Sequence, residues 1–152
     1  MPRLLLLVLV FVTGTAMAQD PKWKKWEIEA DTLMNRQDFE GAIKLYSKAI
    51  KSSKLEDKSS YSPVYKRAVC YYSIGQIDAS LKDIETFMVE YPNLFQGHML
   101  KAFIYRETDD TTNQLNSLNE AMALQPGDPG LIKWRASLYL EEGEYEKVKE
   151  DL

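Results

Sequence analysis

The amino-acid sequence predicts an all-α fold built from stacked antiparallel helix pairs. Three observations predict it: a column of alanines at near-constant spacing, apolar stripes of helical period around each alanine, and a short break between the two stripes of every unit. Ala30, Ala68, Ala102 and Ala136 lie at offsets of 38, 34 and 34. Leu33, Tyr71, Tyr105 and Tyr139 follow three residues later, and Trp26, Val64, His98 and Ile132 precede by four. Phe39, Ile77, Thr111 and Tyr145 come nine residues after each alanine, and Tyr46, Ile84, Leu118 and Leu152 come sixteen after. Five columns that hold one register through four units define a repeat.

The first segment stands apart from these units. Arg3 supplies a positive end, Leu4 to Val12 is an unbroken apolar run, and Ala16-Met17-Ala18 closes with small residues before Gln19. That order is the pattern of a secretory signal peptide, residues 1–18, and its apolar core is shorter than the roughly 20 residues a membrane span needs. The expected location is therefore secreted or periplasmic, with an uncleaved anchor as the alternative. Membrane contact is expected only through the leader before cleavage, and residues 19–22 form a short segment ahead of the repeats. Removing the leader takes away Arg3, so the formal charge falls from −4 to −5. An acidic domain argues against a nucleic-acid partner, which requires a basic face, and disfavours an anionic membrane surface. The local cluster Lys22-Trp23-Lys24-Lys25-Trp26 reads as a solvated helix start, with contact to lipid as the lesser alternative.

The units follow in order. Trp26, Ala30 and Leu33 share one helical face, and Phe39, Ile43, Tyr46 and Ile50 form a second stripe of the same period. Expected helices run over 23–36, 39–53, 60–74, 77–90, 94–107, 111–124, 129–141 and 144–152. Gly75 and Gly143 suit the left-handed conformation that ends a helix. Asp38 and Asp110 can cap the helices that follow. Pro92 and Pro126 close the second helices of the middle units, because proline cannot continue a helix. Asp128-Pro129 reads as an N-cap followed by proline at the first helical position. The wider first spacing is expected to place a longer polar loop at Lys51 to Ser60. The domain thus spans 23–152, in units of about 23–56, 61–94, 95–128 and 129–152. The fourth unit stops at the residue matching Ile84 and Leu118, which suggests a fragment or truncated frame whose last helix frays.

With these residues in view, the chain resembles the tetratricopeptide repeat (TPR) family. Unit one carries Trp26, Ala30, Leu33, Ala42, Tyr46 and Ala49; unit two Ala68, Tyr71, Ile84, Phe87 and Pro92; unit three Ala102, Tyr105, Leu118, Ala121 and Pro126; unit four Ala136, Tyr139, Gly143 and Tyr145. The resemblance implies a right-handed α-α superhelix, a solenoid of about four helix-turn-helix units with the last incomplete. It also implies a scaffold that binds a protein or peptide partner along the first helices of its units. Two departures stand out. The leucine before the alanine is replaced by Glu29, Arg67, Lys101 and Arg135, and Gln114 occupies a small-residue position, so that helix is expected to pack loosely.

By register, the groove-facing residues are Tyr65, Val69 and Tyr72 in unit two and Met99, Phe103 and Arg106 in unit three. Tyrosine, phenylalanine, methionine and arginine are enriched at interfaces, although the same residues could simply pack between neighbouring helices. Unit one offers Glu27, Asp31 and Met34, whose charges would repel the chaperone carboxylate that some TPR clamps grip; unit four offers Lys133, Ser137 and Leu140. No catalysis, cofactor, metal or small-molecule substrate is expected. His98 and Cys70 are each the sole residue of their type, too few for a zinc site of three or four ligands. Cys70 reads as a small buried apolar residue. An accessory region of a larger exported enzyme or envelope complex, or a holdase-like chaperone, is the alternative reading.

Overall fold

Alternation of apolar stripe and break produces helices at the expected places. The computed structural model describes residues 21–152; the leader assigned to residues 1–18 lies outside the described residues. The elements are α1 (Lys22–Asn35), α2 (Phe39–Ser53), a 3-10 turn (Lys58–Tyr61), α3 (Ser62–Ser73), α4 (Ile77–Glu90), α5 (Phe95–Glu107), α6 (Thr111–Leu124), α7 (Pro129–Glu141) and α8 (Tyr145–Asp151). Each helix packs on the next in chain order, and α3 also touches α5.

The break inside each unit has one backbone solution. Gln37, Gly75, Asp109 and Gly143, each seven residues after its alanine, have φ values of 63°, 74°, 54° and 75°. Glycine takes this left-handed conformation without steric cost; Gln37 and Asp109 adopt it at the same position. Asp38 accepts a hydrogen bond from Gly41 N, Asp110 from Asn113 N, and Asp128 from Gly130 N and Leu131 N. These carboxylates satisfy amides that a helix start leaves without intrahelical partners.

Two expectations need correction. The polar stretch 51–60 is not a plain loop: α2 ends at Ser53 as expected, but a 3-10 turn follows from Lys58 to Tyr61. Asp57 caps that turn at Ser60 N, and Tyr91 at the end of α4 donates to Lys58 O at 2.9 Å. The N-terminal cluster is also not wholly solvated, because Trp23 is buried and Trp26 half-buried.

Three layers of core run along the stack. Ala30 packs with Ala42, Tyr46 and Cys70; Ala68 with Val64, Ile84, Phe87, Leu100 and Ile104; Ala102 with Leu118, Ala121, Leu131 and Leu138. Each layer pairs an alanine with the residue sixteen positions on. Each also receives a plug from the next unit: Cys70, Ile104 and Leu138 all lie two residues after their own alanine. Cys70 is thus a core filler, and burial raises its thiol pKa to about 11. α4 and α5 approach closely at buried Gly97, where a Cβ would fall 2.0 Å from Met88 Sδ.

Two of the four charged residues beside the alanines, Arg67 and Arg135, pair across their unit. Arg67 binds both Asp83 oxygens at 2.6 and 2.8 Å and Ser47 Oγ at 2.9 Å. Arg135 binds both oxygens of Asp151, sixteen residues on, and Asn119. Arg67, Lys101 and Arg135 also sit over Tyr71, Tyr105 and Tyr139, four residues on, at 5.7, 5.8 and 5.9 Å from the ring centroids. Bidentate pairs fix the angle between the two helices of a unit, a role leucine fills by packing.

Gln114 is the local misfit. α6 nevertheless docks, with Leu118 and Ala121 fully buried. Gln114 itself is buried, and its Nε2 has no hydrogen-bond partner among the described residues. A buried unpaired amide costs about 1–3 kcal/mol. Gln114→Met keeps the volume and removes the orphan donor, so it should stabilise the protein by about 1 kcal/mol in urea unfolding. A loss of stability would show that the amide is satisfied.

Candidate partner-binding cleft

The groove columns behave differently along the stack because the chemistry of their side chains changes. In unit one they are ionic and turned against one another. Glu27, with no solvent-exposed surface, accepts hydrogen bonds from Lys24 Nζ (2.6 Å), Ser62 Oγ (2.6 Å) and Lys66 Nζ (2.9 Å). Lys66 also reaches Asp31 at 2.8 Å, and Tyr46 donates to the other Asp31 oxygen at 2.7 Å. Burial works against ionising Glu27, but the bonds from Lys24, Ser62 and Lys66 more than offset it and hold the carboxyl below its ordinary value. Of the two acids, unit one leaves only part of the Asp31 side chain open to solvent, already paired with Lys66. The expectation that Glu27 and Asp31 would repel a carboxylate is corrected: lysines of α1 and α3 already neutralise them.

Beyond this network the columns become apolar. α3 and α5 flank a cleft of about 400 Å³ lined by Tyr65, Val69, Tyr72, Phe95, Gln96, Met99, Leu100 and Phe103. Five of the six expected groove residues meet there; Arg106 stands at one end. Its guanidinium lies over Phe103 and Trp134, 5.2 and 5.8 Å from the ring centroids, and donates to Tyr72 Oη and Glu107 Oε1. Phe103 stacks on Trp134 at 5.0 Å and meets Tyr72 at 6.4 Å. Below the cleft, Tyr65 rests on Phe87 at 5.2 Å, and burial raises its hydroxyl pKa.

Phe95, Gln96, Leu100 and Trp134 are absent from the sequence-derived set. Leu100 and Trp134 share a register position two residues before the alanine, as Lys66 does in unit two, so an extra column would have found them. Phe95 and Gln96 open α5, where the register gives no groove position. The unit-four positions do not line the cleft: Lys133 and Leu140 are exposed, and Ser137 bonds to Trp134 O. His98 is spent locally, its Nε2 at 2.8 Å from Pro92 O.

No protein-family model matches the chain. Over 81 residues the chain is 31% identical to the tetratricopeptide repeat and J domain-containing co-chaperone DNJ1 of Cryptococcus neoformans. That match covers 53% of this chain and 15% of the co-chaperone. Among solved structures, a tetratricopeptide repeat protein from Parabacteroides merdae superimposes with a TM-score of 0.79 at 15% identity, over 85% of this chain and 50% of that one. The crystal structure of MamA gives 0.74 at 19% identity, over 85% and 68% of the two chains. The first TPR of Spaghetti (RPAP3), bound to the HSP90 peptide SRMEEVD, gives 0.72 at 9% identity, over 82% and 96%. The helix pairs, their register and these superpositions define the fold as a TPR solenoid.

The buried network around Glu27 yields a pH-dependent prediction. A carboxyl whose pKa is lowered by folding contributes stability above its unfolded value, and loses it as pH falls through its folded value. Glu27→Gln should cost roughly 3 kcal/mol near neutral pH, because it leaves the buried partners without their charge. Thermal melts should show the gap between the two proteins closing as pH drops below the ordinary glutamate value of 4.5. A gap that widened on acidification would contradict the assignment.

Proposed function

We propose that the chain is an exported TPR scaffold that holds an apolar segment of a protein partner in the cleft between α3 and α5, without catalysis of its own. One observation carries the reading: Tyr65, Val69, Tyr72, Met99 and Phe103 come from two neighbouring first helices and line one open apolar cleft. Exposed apolar surface of this kind marks interaction sites, and rigid aromatic anchors supply most of the affinity where they occur. The RPAP3 repeat domain, of like fold, is bound to a peptide, which supports a peptide as the ligand. The leader at residues 1–18 supports a secreted or periplasmic place of action.

A second reading is an accessory region of a longer protein with a chaperone role. The similarity to DNJ1, of which this chain spans 15%, supports it. Binding to many unrelated unfolded proteins with similar affinity would favour that reading over a dedicated partner.

Tyr65→Ala, Tyr72→Ala and Phe103→Ala test the cleft. At the best anchor, partner binding should weaken by about 2 kcal/mol, near thirtyfold, with the helical circular dichroism unchanged. Loss of binding only in step with loss of helicity would mean that these side chains serve packing alone.

A further inference from the structure

The cleft between α3 and α5 has a chemistry that selects the backbone conformation of whatever lies in it. Two helices apart in an antiparallel stack, α3 and α5 run in the same direction and touch. Tyr65, Val69 and Tyr72 stand at i, i+4 and i+7 on α3, and Met99 and Phe103 at i and i+4 on α5. The longer stripe follows the helix axis for about 10 Å, and all five side chains are half-buried. Gln96 alone among the lining residues brings a side-chain amide; apart from it and the tyrosine hydroxyls, the lining side chains are apolar. Tyr72 Oη is already engaged with Glu107 and Arg106.

An extended segment in this trough would turn peptide N–H and C=O groups against apolar walls, with no sheet edge and a single amide to receive them. Buried backbone groups are almost always paired, and leaving them unpaired works against binding. A helix satisfies its backbone internally and shows the walls only side chains. Its own stripe at i, i+3 or i+4, and i+7 advances by the same distance as that of α3, so it can seat in the groove between the two helices. Charge adds a second condition. The edge on which α3 and α5 end carries Asp78, Glu107, Asp109 and Asp110 against Arg106, a net −3 from four acids and one cation. Glu107 is paired with Arg106, whereas exposed Asp78 and Asp109 make no ion pair among the described residues. We propose that the segment held in the cleft is a basic amphipathic α-helix. Its apolar stripe lies between α3 and α5, and its lysines or arginines meet the acidic edge at Asp78 and Asp109. This rests on the cleft being the binding site, and adds the conformation and the charge of the occupant.

The probe is a library of random peptides of about sixteen residues, a little over four helical turns, displayed on phage and selected against the full chain. Recovered sequences should place apolar residues three or four and seven apart and be enriched in lysine and arginine. A recovered peptide, made synthetically, should gain helical circular dichroism on binding. Phe103→Ala should weaken its binding roughly tenfold or more, and the milder Val69→Ser should act in the same direction. The double variant Asp78→Asn/Asp109→Asn leaves the Arg106–Glu107 pair intact and should weaken binding roughly threefold per charge removed. That deficit should shrink at about 0.5 M salt. Peptides that depend on Phe103 and Val69 but alternate their apolar residues, stay non-helical when bound, or ignore the aspartate variant would overturn the proposal and leave the cleft a binding site. Recovery of no peptide, or of peptides indifferent to both Phe103→Ala and Val69→Ser, would overturn the cleft reading and this one with it.

Discussion

Close approach of helices at an alanine is the constraint on which the other layers depend. Ala30, Ala68 and Ala102 have no exposed surface and Ala136 almost none. Interaxial distance is set by the side chains at the crossing, so a methyl group there draws the two helices of a unit together. That spacing allows Tyr46, Ile84 and Leu118 to complete their layers, and brings Cys70, Ile104 and Leu138 within reach of the preceding unit's core. The plug column has a telling exception: its unit-one residue is the exposed Thr32, and no described unit precedes it to receive an apolar side chain.

Polar groups take over where apolar packing is missing. The Arg67–Asp83 and Arg135–Asp151 clamps stand where the family places leucine, and each ties the first helix of a unit to its second. In unit one, Lys66 reaches back from α3 to Glu27 and Asp31, adding charge to the apolar contact that Cys70 makes between the first pair and the second. The cleft is the complement of this arrangement. It opens where the ionic network stops, and Arg106 marks its far end by lying across Phe103 and Trp134.

Local signals in the sequence reach the helices and their breaks, because periodicity, capping aspartates and proline act within a few residues. They also place Tyr65, Tyr72 and Phe103 on neighbouring helices, since a fixed repeat converts register into position. Whether those residues bind a partner is a separate matter that register does not touch. Long-range pairing is much less legible. Nothing local says that Glu27 meets Ser62 and Lys66, which are 35 and 39 residues away, so unit one reads as an open acidic groove. Trp23 was hidden for a similar reason: its lysine neighbours suggest solvent, whereas helix phase turns the indole inward. The 3-10 turn at Lys58–Tyr61 is capped locally by Asp57 and also receives Tyr91 from the far end of α4, a partner no window of nearby residues contains.

The alanine crossing can be tested directly by enlarging it. Ala102 is fully buried beside Leu118 and Ala121, so Ala102→Leu must push α5 away from α6 or force side chains off their rotamers. Equilibrium urea unfolding of this variant should show a loss of about 1–3 kcal/mol, with Ala123→Leu, at an exposed position of α6, close to wild-type. An Ala102→Leu protein as stable as its parent would contradict the account, since the helices would then have room that a close alanine crossing does not leave.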